Sequence, residues 1–381
     1  MSTALSRQSL SLRSLSRPEQ VSARTRQRMS EGRDQPRGPE LLLLALQRLG
    51  FLRGDEKLVV LDALRDSDDL CSLSLDDLRR LVGRFISDRA WDPRKLLEEA
   101  HADAELLARK GIAYVHFDDP RFPPLLRETA RPPFGLYVRG TPPEPGRPCA
   151  AVVGTRMPTA EGLAAASELA CGLSAESVTV VSGLARGIDS AAHRGALKGP
   201  GSTCAVLPCG PDRVYPPANR TLASLILDSG GCLLTEYPPD SEMHRYRFPD
   251  RNRIIAGIAR ACIVVEAPAE SGALITAEHA LGEGRDLWVH ADCLGSARNA
   301  GGDSLAAQGA QSLSSATDLL IDWGMAERSA ERSKDSDDTF PARTEKAGDD
   351  CRRPGGIAGA VESLKRELGL TEGTIRKESM K

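Results

Sequence analysis

The stretch Val178-Thr-Val-Val-Ser-Gly-Leu-Ala-Arg-Gly-Ile-Asp-Ser-Ala-Ala-His193 decides the fold. Its apolar opening reads as a buried strand, Gly183 to Gly187 as a turn, and the remainder as a helix. A strand, a glycine turn and a helix start together point backbone N–H groups at an anion. Arg186 sits in this turn, and a cation at a helix N-terminus opposes the helix dipole unless an anion binds there. Asp189 reads as the helix cap. His193 reads either as a ligand-facing residue or as a satisfied polar group on the helix.

Outward from this stretch, strand and helix alternate through residues 149–322. Strands are expected at 149–153, 178–182, 203–207, 232–236, 261–265 and 286–290. Helices are expected at 159–175, 188–198, 219–229, 251–258, 273–283 and 314–322. The strand cores are apolar on both faces, as in a parallel sheet covered by helices. The pattern predicts a doubly wound α/β domain, whose ligands bind beyond the C-terminal strand ends.

At the first strand end stands Gly154-Thr-Arg156, with Thr159 a candidate cap for the next helix. The second and third glycines of a dinucleotide fingerprint are missing, which argues against a nicotinamide cofactor. Before the 251–258 helix lies Met243-His-Arg-Tyr-Arg-Phe-Pro-Asp-Arg-Asn-Arg253. Here Arg245, Arg247, Arg251 and Arg253 alternate with Tyr246 and Phe248. The bland reading is a solvated charge run. The functional reading is a set of guanidinium forks on phosphates, with an aromatic ring stacking a base. Glu266 and Glu278 read either as acid/base residues or as a buried hydrogen-bonded carboxylate and a solvated helix face.

Composition narrows the classes. The chain has 381 residues and a net charge of −3, so any nucleic-acid contact must come from local basic clusters. The nine cysteines form no C-x-x-C pair and read as reduced core thiols of a cytosolic protein, with no metal site. No apolar run approaches the ~18 residues of a membrane span. A cytoplasmic location is expected, with no membrane partner.

The remaining segments fall into blocks. Residues 1–38 carry eight arginines against three acidic residues, and read as a disordered basic tail, an early start, or an arm adding DNA affinity. A small helical domain is expected over 39–110, with Ser74 capping one helix and Pro93 opening another. Residues 111–148 form an extension of the core and a linker. The α/β domain occupies 149–324, a charged linker 325–354, and a short helical segment 355–381.

The segments Val152-Val-Gly-Thr-Arg156, Ser182-Gly-Leu-Ala-Arg-Gly-Ile-Asp189, Val214-Tyr-Pro216, Phe248-Pro-Asp-Arg-Asn-Arg-Ile-Ile-Ala-Gly257 and Ser271-Gly-Ala-Leu-Ile-Thr-Ala277 follow one another in order. In sequence and spacing they resemble the DNA-processing protein A (DprA/Smf) family over roughly 111–322. The resemblance implies an extended Rossmann-like, mainly parallel sheet. It also implies a non-enzymatic protein without a cofactor. Such a protein binds single-stranded DNA, associates as a homodimer and loads RecA recombinase in natural transformation and recombination. Carried over by motif, Arg156, Arg245, Arg247 and Phe248 would line the DNA pocket, with Arg251 and Arg253 beside them. Arg186, and backbone groups at Gly154, Ser182, Gly183 and Gly187, would add phosphate contacts. The anion expected in the 183–187 turn is thus a DNA phosphate.

The chain departs from the family pattern at Ser202, Pro217, Asp250, Ala291-Asp292 and Asp303. Two alternatives remain. One is a nucleotide phosphoribohydrolase on the same fold, against which the glycine-poor Glu270-Ser-Gly-Ala-Leu-Ile-Thr-Ala-Glu278 turn argues. The other is a degenerate paralogue that binds weakly.

Overall fold

The computed structural model describes residues 41–87 and 91–325. The expectations for 1–38, for most of 325–354 and for 355–381 lie outside the described residues.

Five helices come first: α1 (Leu41–Gln47), α2 (Gly54–Ala63), α3 (Ser67–Ser72), α4 (Leu75–Val82) and α5 (Pro93–Lys110). Short polar side chains start α3, α4 and α5 by taking up orphan N–H groups. Asp66 accepts from Asp68 N and Asp69 N, and Ser74 Oγ from Asp77 N at 3.2 Å. Asp92 does the same for α5, where Pro93 begins a turn that needs no N–H there. The leucines of α1 pack with Ile112, Tyr114, Phe134 and Tyr137, which anchors the helices on the first two strands. Buried polar bonds tie the same seam: Lys57 Nζ donates to Gln47 O at 2.8 Å, and Gln47 Nε2 to Glu236 O at 2.6 Å.

The sheet has nine strands: β1 (Ile112–His116), β2 (Gly135–Gly140), β3 (Cys149–Val153), β4 (Thr179–Ser182), β5 (Thr203–Val206), β6 (Cys232–Thr235), β7 (Ala261–Val264), β8 (Asp286–His290) and β9 (Gln311–Leu313). Their order is β1-β2-β6-β5-β4-β3-β7-β8-β9. From β6 to β9 every pair is parallel, whereas β2 joins β6, and β1 joins β2, antiparallel. The expected mainly parallel, doubly wound sheet is therefore the observed one, extended by an antiparallel edge.

The intervening helices are α6 (Pro124–Arg127), α7 (Ala160–Ala175), α8 (Ile188–Ala196), α9 (Arg220–Asp228), α10 (Arg247–Ile258), α11 (Gly272–Gly282), α12 (Ala300–Ala307) and α13 (Ala316–Asp322). On one face Ala165, Leu169, Ile188, Ala191 and Leu319 cover the sheet, and on the other Leu126, Ile254, Ile255, Ala273 and Ala277 do. Among the cysteines with free thiols, six are buried and Cys71 is exposed.

Among the elements that differ from the sequence pattern are α10, β9 and α12, no helix having been expected over 300–307. The helix expected at 251 starts at Arg247, because Pro249 falls in its first turn, where a missing N–H costs nothing. Strand β9 was not expected. Of its three residues only Leu313 is buried, too weak a pattern to read.

The chain reverses direction across the sheet at β3, whose neighbours are β4 on one side and β7 on the other. Loops leaving β3 and β7 diverge there and leave a crevice at their C-terminal ends.

Candidate functional site

Beyond β3 the chain runs through Gly154 and Thr155 to Arg156. Thr155 N donates to Glu266 O at 2.7 Å, which holds the two loops together. Thr159 caps α7, its Oγ1 accepting from Gly162 N at 3.0 Å. The carboxylate of Glu266 is fully buried and accepts from Thr159 N and Thr159 Oγ1, both at 2.9 Å. Glu266 therefore completes a helix start. Glu278 is exposed on α11. Arg156 is left projecting outward, with its guanidinium carbon 5.3 Å from the centre of the Phe248 ring. Among the described residues it has no carboxylate partner.

The turn after β4 corrects an expectation. Asp189 does not cap α8; the cap position is Gly187, with no side-chain bond. Instead Asp189 Oδ2 reaches back and accepts from Gly183 N and Ala185 N, both at 3.2 Å. The anion held by this glycine turn is thus the protein's own carboxylate, so those two N–H groups are not free for a DNA phosphate. Ser182, expected at the phosphate, is fully buried, and its Oγ donates to Val152 O at 2.7 Å. Gly183 is glycine because a Cβ there would lie 2.0 Å from Arg251 Nη1. Gly187 holds φ at +76°, a backbone that side chains disfavour. Arg186 is exposed.

The arginine run divides as well. Arg251 points inward, 4% exposed, and Nη1 donates to Val206 O. Arg253 pairs with Glu236, approaches Asp250 at 3.5 Å and donates to Arg131 O at 2.8 Å. Arg251 and Arg253 thus serve the core and its seam. Arg247 lies over the Tyr237 ring at 4.4 Å, and Arg245 is exposed. Only Gly154, Arg156, Phe248 and Arg251 of the expected residues meet around one cavity.

That cavity lies at the β3/β7 crevice, with a volume of about 650 Å³, within the usual range for a ligand site. Met157, Phe248, Pro249, Ile255 and Ala273 give it apolar walls, Arg156 and Arg298 stand at its edge, and Asp189 and Arg251 lie at its base. Tyr215 meets Phe248 edge-on, ring centres 5.5 Å apart. Burial, and next the nearby Arg156, push Arg251 down to about 10 against the pull of Asp189, so it stays charged at neutral pH. Burial raises the Asp189 carboxyl, while Arg251 and the two N–H donors hold it down. His193 beneath them is fully buried. Thr203 Oγ1 donates to Val180 O at 2.8 Å, so it accepts from His193 Nδ1 at 2.7 Å. His193 Nδ1 is satisfied there while Nε2 is buried without a partner, and with no exposed surface the ring does not face a ligand. A half-exposed ring beside an unpaired guanidinium, above an apolar slot, suits a flat ring attached to an anionic backbone.

The family model of the DNA recombination-mediator protein A matches residues 113–324. The chain belongs to that family. Protein Smf of Synechocystis is 41% identical over 55% of this chain and 52% of its own length, so the match spans about half of that relative. The DNA processing protein DprA of Streptococcus pneumoniae is 37% identical over 60% of this chain and 79% of its own. The X-ray structure of pneumococcal DprA superposes with a TM-score of 0.60 at 32% identity, covering 74% of this chain and 97% of that one.

In this chain, departures from the family pattern at Ser202, Asp250 and Asp303 have local roles. Asp250 accepts from Tyr237 Oη at 2.9 Å and lies 3.6 Å from Arg131. Asp303 accepts from Gly295 N at 2.9 Å, and Ser202 Oγ lies 3.0 Å from Thr179 Oγ1. Two members of the cavity, Asp189 and Arg298, and Tyr215 packed against its Phe248 wall, were not read as such from the sequence. Tyr215 carried a signal in Val214-Tyr-Pro216. Asp189 was assigned to the wrong N–H groups. Arg298, whose Nη1 donates to Met157 O at 3.4 Å, carried none.

Proposed function

We propose that this chain is a non-enzymatic single-stranded-DNA-binding protein that holds the strand at the β3/β7 crevice. Its further role is to deliver the strand, as a homodimer in the cytoplasm, to RecA recombinase during natural transformation and recombination. The observation that carries the DNA reading is the pairing of Arg156, without a carboxylate partner, with the face of Phe248 at the mouth of the crevice. Arg156 would meet a phosphate, and Phe248 with Tyr215 would stack a base. Arg186 and Arg245, which are exposed, and Arg247, which is half-exposed, would add phosphate contacts along the strand. Membership of the recombination-mediator family supports the same reading.

The test is an anisotropy titration of a labelled single-stranded oligonucleotide at several salt concentrations. Binding that weakens steeply with salt is expected, and a flat response defeats the reading. A shorter lag before RecA's DNA-dependent ATP hydrolysis checks the delivery step, and sedimentation checks the dimer. Release of free base from a nucleoside monophosphate would favour the phosphoribohydrolase alternative; Glu266, committed to Thr159, is poorly placed for it.

A further inference from the structure

A second pocket, of about 460 Å³, is enclosed by α9, β2, β6 and the loop that carries Tyr215. The Tyr215 ring lines it and also meets Phe248, which lines the crevice, so one side chain links the two cavities. Arg139 reaches the pocket from β2. Side chains alternate along a strand, so Arg139 lies on the face opposite the core residues Leu136 and Val138. Its Cα partner on β6 is Leu233, which lines the same pocket. Arg220, the first residue of α9, and Arg213 are the other cations. Arg213 is paired, lying 3.3 Å from Asp212 and 3.2 Å from Asp240. Asp212 is the one carboxylate in the lining, and its Oδ1 accepts from Asp240 N at 3.2 Å. Among the described residues, Arg139 and Arg220 have no carboxylate partner. Arg139 is half-buried, and a guanidinium drawn partly out of water is stabilised by an anion. Leu227, Leu233 and Met243 give the pocket an apolar wall. Two unpaired guanidinium groups beside an apolar wall and an aromatic ring fit a phosphate and the flat ring it carries.

Resting on the single-stranded-DNA reading above, we propose that this pocket is a second nucleotide site on the same strand. Tyr215 stands between two nucleotides, one held at the crevice and one held here, with Arg139 and Arg220 on the phosphate of the second. The antiparallel edge of the sheet then has a part in binding, because β2 supplies Arg139. Only an oligonucleotide long enough to pass Tyr215 occupies both sites.

The experiment measures the anisotropy of labelled oligo-dT of increasing length, from the dinucleotide upward, with the full chain and with its Arg139→Gln/Arg220→Gln double variant. The shortest oligonucleotides that bind, which fill the crevice alone, are expected to bind both proteins equally. Longer ones are expected to bind the double variant about five- to tenfold more weakly, with the slope of log affinity against log salt smaller by about 0.7, the share of one phosphate. A second measurement leaves the protein untouched. Single neutral methylphosphonate linkages are placed in turn along the shortest oligonucleotide that reaches full wild-type affinity. Two separate sensitive linkages are expected, one for the phosphate at Arg156 and one for the phosphate at Arg139 and Arg220. Equal weakening of the double variant at every length would show a general field effect and overturns this inference. Unchanged affinity of the double variant, or a single sensitive linkage, also overturns it. Each of these results leaves the DNA reading standing, whereas failure of the wild type to bind any oligonucleotide overturns both.

Discussion

Arg251 and Arg156 reach the same cavity from different elements and do opposite work. Arg251 comes up from α10 and is buried, bonded to Val206 O beside Asp189 and His193. Arg156 leaves the end of β3 and is exposed, its guanidinium over the Phe248 ring. The inner guanidinium satisfies the sheet's own polar ends, while the outer one is available to a ligand. The lesson is that an arginine's role follows from its partners and depth. Damage to the inner set should appear as stability and pH dependence, and damage to the outer set as affinity and salt dependence.

The largest expected effect is on the inner side. Arg251→Ala leaves the Asp189 carboxylate without its neighbouring cation and opens a void against Gly183. A loss of about 3–5 kcal/mol is expected, read from urea unfolding. If stability is unchanged, Arg251 is not structural and the division collapses. On the outer side, Phe248→Ala removes the stacking face. Affinity for single-stranded DNA should drop by about 1–3 kcal/mol, with the unfolding midpoint nearly constant. A variant that unfolds instead would move Phe248 into the inner set.

A third contrast uses pH. Burial, then Arg251, lowers His193 to about 3, below its ordinary value near 6.5. Between these values the unfolded chain binds more protons than the folded one, so this contribution is full above about pH 6.5 and is lost as pH falls toward 3. Wild type should lose about 1.4 kcal/mol more than His193→Gln for each pH unit within that window. Parallel pH profiles would remove His193 from the titrating inner set. The smallest effect belongs to Arg156→Ala. Affinity should fall about fivefold, and the slope of log affinity against log salt should shrink by about 0.7, the share of one phosphate on a single strand. A slope that stays put would mean Arg156 does not meet a phosphate.

The sequence made the parallel sheet legible because buried strands such as Cys149–Val153 and Ala261–Val264 are continuous apolar runs between helical patterns. It also revealed local caps, since Ser74 and Thr159 act within three residues of themselves. The site was legible only in part. Arg156 and Phe248 were singled out, yet nothing in the chain order says that residues 92 positions apart share a cation–π contact. Arg298 lay beyond any motif.

What the sequence determined by itself was the periodicity of burial, and with it the fold class, the strand ends where ligands bind and the family. Those properties depend on neighbours within a few residues, so chain order encodes them directly. What only the tertiary structure decided was the fate of each charge. Arg251 and Arg253 went inward, Arg156 stayed free, and Asp189 took the turn that had been expected to hold a phosphate. Electrostatic partnership depends on distance and burial across the fold, and a carboxylate folded back by six residues displaces an external anion that no local pattern forbids.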